Sequence, residues 1–128
     1  MNQSPPSGKP QAELKKVGPA ITFEETSHDF GQIKKGERKT KVFRFTSTGD
    51  EDLVLELVSG CACSDLKWPE GKSFKPGEKG EIVVTFDSNR EEELGPHEKT
   101  VDVLLAHNDP KTGYQVFKEL KYTLTLVE

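Results

Sequence analysis

The sequence predicts an all-β protein, an antiparallel immunoglobulin-like β-sandwich of about seven strands. Apolar residues recur at every second position in several separate stretches, as expected of strands with one face on a core. Clusters of Gly, Pro, Asn and Asp punctuate those stretches with turn chemistry. No run of about ten residues holds apolar side chains at 3.6-residue spacing, so no amphipathic helix is predicted. A closed barrel is the competing all-β arrangement.

The elements follow in order. Residues 1–20 read as a flexible leader, because Met1 to Gly8 contains Asn, Gln, Ser, Pro and Gly with no side chain able to build a core. Gln11 to Lys16 can start a helical turn, but Gly18-Pro19 ends it. Residues 21–128 read as the domain. Ile21 and Phe23 alternate with Thr22 and Glu24, and Phe43 and Phe45 with Arg44 and Thr46. Leu53, Leu55 and Leu57 share a phase, as do Ile82, Val84 and Phe86, then Val101, Val103 and Leu105. The last strand sets Leu120, Tyr122, Leu124 and Leu126 against Lys121, Thr123 and Thr125. Phe43, Phe45, Leu55, Ile82, Val84, Phe86, Val103 and Leu124 are therefore the predicted core. Turns are expected at Lys35-Gly36-Glu37, Thr48-Gly49-Asp50, Lys75 to Glu78, Gly95-Pro96 and Asn108 to Gly113. Pro76-Gly77 suits a type II turn, with Pro fixing φ at one central position and Gly accepting positive φ at the next.

Composition narrows the function classes. At 128 residues the chain can bury one core. A net charge of −4, with 18 Lys and Arg interleaved among 22 Asp and Glu, provides no basic face for nucleic acid. No apolar run approaches the length of about 20 residues that spans a bilayer. Met1 leads into polar residues rather than a signal-type apolar stretch, so a native targeting segment is expected to have been removed.

Chemistry concentrates in one place. The only two cysteines form Cys61-Ala62-Cys63, directly after an apolar strand and shortly before the only tryptophan, Trp68. In an extended strand, Cα atoms two residues apart lie about 6.5–7 Å from each other. A disulfide prefers about 5.5–6 Å, so the two thiols can join only if Ala62 sits at a bend. Three readings stand: two small apolar thiols packed near Trp68, a local disulfide, or half of a soft-metal site. Trp68 and Phe74 are expected to cover the motif. For a metal, the further ligands would be His28, His97 and His107, none of which has ligand spacing to another. No cofactor or metal is therefore assigned.

No nucleophile elbow, phosphate loop, dinucleotide fingerprint or zinc-protease motif occurs in the sequence. Glu91-Glu92-Glu93 reads as a solvated acidic run. Glu24 and Glu25 are neighbours on a strand and so point to opposite faces, which makes them a poor acid–base pair. No catalytic residues are assigned. Cys61 and Cys63 are the candidate thiol or disulfide site.

Several blocks carry a resemblance. Phe23-Glu24-Glu25-Thr26-Ser27-His28-Asp29-Phe30-Gly31-Gln32-Ile33 resembles the opening of a bacterial domain-of-unknown-function family abundant in Bacteroidetes. Gly36-Glu37, then Phe43 to Gly49, Pro76 to Ile82 and Asn108-Asp109-Pro110 match later blocks of that family in order. The family's Ser-Cys-Gly-Cys-Thr hallmark falls on Ser59 to Ser64, with Gly60 added or substituted and Ala62 in place of the central Gly. The resemblance covers about Ile21 to Val127. It implies an immunoglobulin-like sandwich related to hydin-type and major-sperm-protein-like domains, and export to the cell envelope, often with a lipid anchor upstream. It supplies a fold and an address rather than a reaction. The expectation is an envelope-associated structural or protein-interaction module, with protein partners and no nucleic acid. The alternative is a thiol redox or soft-metal domain using Cys61 and Cys63.

Overall fold

The alternating stretches of the sequence become strands whose apolar phase, Leu57 apart, turns inward. The computed structural model describes residues 18–128. The strands are β1 (Ile21–Phe23), β2 (Ser27–Lys34), β3 (Arg38–Ser47), β4 (Leu53–Gly60), β5 (Ser64–Lys67), β6 (Ser73–Phe74), β7 (Lys79–Asp87), β8 (Gly95–Asn108) and β9 (Gln115–Val127). A single 3-10 turn, Ser88–Arg90, follows β7. One sheet has the order β1-β3-β7-β5 and the other β2-β9-β8-β4-β6. Their inner faces enclose the core as in an immunoglobulin-like sandwich. All eight predicted core residues are buried there. Among the described residues, no helix is long and apolar enough to cross a membrane.

The details depart from the alternating reading at identifiable points. Nine strands form among the described residues, and β2 runs parallel to β9 at the sheet edge. Its Phe30 and Ile33 are three residues apart, yet Ile33 is fully buried and Phe30 packs on the core. A register shift between Asp29 and Gln32 makes this possible, with Gly31 at φ 72°, a conformation open to Gly at little cost. Asp29 fastens the bulge by accepting the Gly31 amide (2.9 Å) and the Thr123 hydroxyl (3.1 Å). Those bonds, led by the Gly31 amide, hold its carboxyl below the ordinary aspartate range.

In β4 a second register shift, between Leu55 and Leu57, breaks the expected phase. Leu55 and Val58 stay buried while Leu57 turns out to solvent, 48% exposed. The strand β8 starts at Gly95, where the sequence suggests a turn. β4 pairs only as far along β8 as Val101, so one side of β8 is open at Pro96, the setting in which a strand tolerates Pro. The other expected turns do separate strands. That at Lys75–Glu78 closes with the Glu78 amide on the Lys75 carbonyl (2.9 Å), and Gly77 has φ 91°. Gly80 has a packing role: a Cβ there would fall 2.5 Å from the Phe45 ring and 2.8 Å from that of Phe74. Its absence lets those two rings meet edge to face at 5.2 Å.

The leader reading falls on residues 1–17, which lie outside the described residues, and on Gly18 to Ala20. The Gly18 amide donates to Asp50 (2.8 Å), and Ala20 accepts from the Thr48 amide (3.0 Å). These three residues are tied to the β3–β4 turn.

Candidate functional site

The Cys61-Ala62-Cys63 motif sits where the chain changes layers. β4 belongs to the five-stranded sheet and β5 to the four-stranded one, and the motif is the corner between them. The Ser64 amide donates to the Cys61 carbonyl (3.1 Å), closing a turn around Ala62. The turn brings the two Cα atoms to 5.2 Å, inside disulfide range, and Cys61 and Cys63 are joined. This is the bend that an extended strand lacks.

Three backbone bonds hold the corner apart from the sulfur bridge. They are the Ser64 amide on the Cys61 carbonyl, the Arg90 guanidinium on the Ala62 carbonyl (3.0 Å) and the Asp87 amide on the Cys63 carbonyl (2.9 Å). Arg90 is positioned by a ring of charges. It pairs with Asp65 (2.6 Å) and Asp87 (3.3 Å), and Arg38 pairs with the same two carboxylates at 2.8 and 3.0 Å. Asp87 also caps the Ser88–Arg90 turn through the Asn89 amide (3.0 Å). That amide, followed by the two guanidiniums, holds the Asp87 carboxyl below the ordinary range. Arg90 and then Arg38 do the same for Asp65.

The two sulfur atoms have unequal surroundings. Cys63 is buried, whereas Cys61 is half-buried and lines an open groove with Ser59, Glu98, Lys99 and Thr100. Beneath them the Tyr122 hydroxyl lies 3.8 Å from the Cys63 sulfur and bonds the Ser64 hydroxyl, itself 3.9 Å from that sulfur. The Cys63 amide donates to the Cys61 sulfur at 3.1 Å. Burial pushes the Tyr122 phenol above its ordinary pKa, so it stays protonated across the neutral range. Its ring packs edge-on against Phe30 (5.4 Å) and Phe86 (6.1 Å). Tyr122 is thus the aromatic residue at the sulfur atoms. Trp68 and Phe74 instead line a separate cleft of about 660 Å³ with Arg44, Lys72 and Glu81.

The remaining sequence candidates are dispersed. His28 meets Phe30 edge to face (4.8 Å), His97 lies 3.8 Å from Glu91, and His107 borders a groove beside Pro19 and Leu105. Among the described residues, no three His, Cys, Asp or Glu converge to hold a metal ion. Glu91 corrects the reading of its run as a solvated face: its side chain is only 13% exposed and accepts from Lys99 at 2.6 Å. Lys99 holds the Glu91 carboxyl below the ordinary glutamate range. Glu92 and Glu93 remain exposed.

A second feature lies on the outer face of the five-stranded sheet. Leu57, Leu104 and Phe117 stand directly opposite one another on β4, β8 and β9 and form a cross-strand apolar row. Leu57 and Phe117 are 48% and 51% exposed. One step along, Ser59, Asp102 and Glu119 form the next row. Among the described residues neither Asp102 nor Glu119 has an ion-pair partner. Beside the row, β4 has a free edge. β6 pairs only with Leu53 and Val54, so among the described residues no strand pairs with the far side of Leu55–Gly60.

Sequence reasoning did not find Tyr122, Arg90, Arg38, Asp87 or this row. The run Asp87-Ser88-Asn89-Arg90 carried a usable signal, an Asp cap with a basic residue at the end of its turn. Tyr122 was visible only as one of the apolar phase of its strand.

Two packed sheets with a stapled corner define an immunoglobulin-like β-sandwich domain. The chain belongs to the family described as "Protein of unknown function (DUF1573)", whose model matches residues 21–118. No curated protein matches it. Among solved structures it is similar to a protein of unknown function from Porphyromonas gingivalis W83, with a TM-score of 0.69 and 18% identity. That match covers 96% of this chain and 54% of the other, so this chain spans about half the length of that protein. It is also similar to the ASH/PapD-like domain 7 of human CEP192, with a TM-score of 0.60, 14% identity and coverage of 95% and 94%. WR4, a C. elegans MSP family member, gives a TM-score of 0.54 at 14% identity over 84% of this chain and 97% of that one. At these identities the likenesses concern the fold.

Proposed function

We propose that this chain is a non-enzymatic protein-interaction module of a bacterial cell envelope. The observation that carries the reading is the apolar row Leu57–Leu104–Phe117 beside the free edge of β4. An unpaired strand edge offers backbone donors and acceptors to an incoming strand, and an exposed apolar row offers it a place to bury side chains. The occupant is an extended segment of a partner protein with an apolar and a basic side chain two residues apart, so that both point to the face that carries Leu57 and Ser59. Its apolar side chain covers Leu57, and its basic side chain reaches over Ser59 toward Asp102, which has no ion-pair partner among the described residues. The envelope address rests on the resemblance of the sequence blocks. A disulfide between Cys61 and Cys63 suits an oxidising compartment.

The test is an amide-resolved NMR titration with a short synthetic peptide in which valine and lysine alternate along one face, each separated from the next by a threonine. Shifts should concentrate at Glu56–Gly60, Leu104 and Phe117, weaken in Leu57→Glu, and be absent with a valine–glutamate peptide. Undisturbed β4 amides would overturn the interface. A concentration-dependent dimer through the same amides would replace the partner protein with a second copy. Fractionation of the source cells tests the address, and a cytosolic pool would remove it.

A further inference from the structure

We propose that the Cys61–Cys63 disulfide is a thiol–disulfide exchange site, able to oxidise a dithiol on a partner protein. The partner's thiolate attacks the Cys61 sulfur and forms a mixed disulfide there. The Cys61–Cys63 bond breaks, and its electron pair leaves on the Cys63 sulfur as a thiolate. The partner's second thiolate then attacks its own sulfur in the mixed disulfide and expels the Cys61 thiolate. The partner ends as a disulfide and this chain as a dithiol, with two electrons transferred.

Three observations support that direction. The first is the asymmetry of the pair: Cys61 borders an open groove, whereas Cys63 is 4% exposed, so an incoming thiolate reaches Cys61 first.

The second concerns the leaving group. Tyr122 and Ser64 bond each other, and each hydroxyl also lies within reach of the Cys63 sulfur, at 3.8 and 3.9 Å. When Ser64 donates to Tyr122, the Tyr122 proton is free for that sulfur; in the reverse arrangement the Ser64 proton is shared between the Cys63 and Cys61 sulfur atoms, at 3.9 and 3.8 Å. A thiolate formed on Cys63 therefore has a donor already in place inside the core, where a bare anion would be costly. The Cys61 thiolate formed in the second step has the Cys63 amide at 3.1 Å.

The third is that the corner does not depend on the bridge. The carbonyls of Cys61, Ala62 and Cys63 accept from the Ser64 amide, Arg90 and the Asp87 amide. The reduced form therefore keeps both sulfur atoms together and ready to close again.

The experiment is reduction of the folded protein by dithiothreitol, followed by mass-resolved alkylation. The rate should rise in proportion to dithiothreitol concentration. In Tyr122→Phe it should fall about tenfold, the scale of one hydrogen bond to a charged leaving group. Single-cysteine variants provide a second measurement. With oxidised glutathione, Cys63→Ser should form its mixed disulfide at Cys61 about tenfold faster than Cys61→Ser does at Cys63, following thiol access. A wild-type rate that saturates at the global amide-exchange rate would mean that the bond opens only on unfolding, and would overturn the proposal. An unchanged rate in folded Tyr122→Phe would overturn the leaving-group assignment. Neither readout depends on the β4 interface.

Discussion

The corner at Cys61 and the outer face of the five-stranded sheet handle exposed chemistry in opposite ways. At the corner, every carbonyl of the Cys-Ala-Cys turn has a donor, and the two arginines that approach it are neutralised by Asp65 and Asp87. On the sheet face, Leu57 and Phe117 are half exposed, and Asp102 and Glu119 stand beside them without counter-ions among the described residues. The corner is satisfied from within the chain, as a rigid and selective site must be. The sheet face is satisfied only by something added to it. One sandwich can thus hold a fixed chemical group at one place and an adaptable contact surface at another.

The sharpest way to break this contrast is through the layer beneath the corner. Phe86 is fully buried and packs against Tyr122, so it supports both the core and the sulfur environment. Phe86→Ala should cost about 3–5 kcal/mol, the usual loss for a buried phenylalanine, and so a large share of the stability of a small domain. Chemical denaturation with the disulfide intact measures it. A loss under about 1 kcal/mol would mean that the inner face here is packed far more loosely than the buried side chains indicate.

A smaller effect comes from the charges at the corner. Asp87, Asp65 and Glu91 all have folded-state pKa values below their unfolded ones. Over the acid range the unfolded chain therefore binds more protons, and stability rises with pH. The contribution is complete above the unfolded values, about 3.9 for Asp and 4.3 for Glu, and is lost as pH falls through the folded ones. Thermal midpoints should be flat from about pH 6 to 7.5 and fall below about pH 4. The acid slope should be shallower in Asp87→Asn and in Glu91→Gln. An unchanged slope in both variants would remove these carboxylates as its source.

How much of this was legible from the sequence divides along the same line. The long strands were legible because alternation and burial are one phenomenon there: Ile82, Val84 and Phe86 face inward as their phase requires. The short strands β5 and β6 were not, because four and two residues carry no readable period and their extension depends on β7 and β4. Leu57 shares the alternating phase of Leu53 and Leu55, and its turn to solvent was not legible because a bulge leaves no mark in a run of Leu, Val and Glu. Cys61 and Cys63 could be named as a pair, and the bend at Ala62 was the condition for their joining. The hydroxyl beneath them came from Tyr122, distant in sequence, which only the tertiary fold brings near.

The mildest change is aimed at the sheet face. Phe117 is 51% exposed, and its cross-strand neighbour Leu104 is itself only partly covered. Phe117→Ser therefore removes only the covered half of the ring, and the strand keeps its ladder with β8, since that pairing is carried by the backbone. Thr would suit a strand better than Ser, so a small propensity loss remains. The net change in unfolding free energy should be about 1–2 kcal/mol, the scale of a half-covered ring and well short of a fully buried one. Urea denaturation checks it against Phe86→Ala under the same conditions. A loss above about 3 kcal/mol would show that the side chain is covered in the free protein. The row would then belong to the core and would no longer be available to a partner.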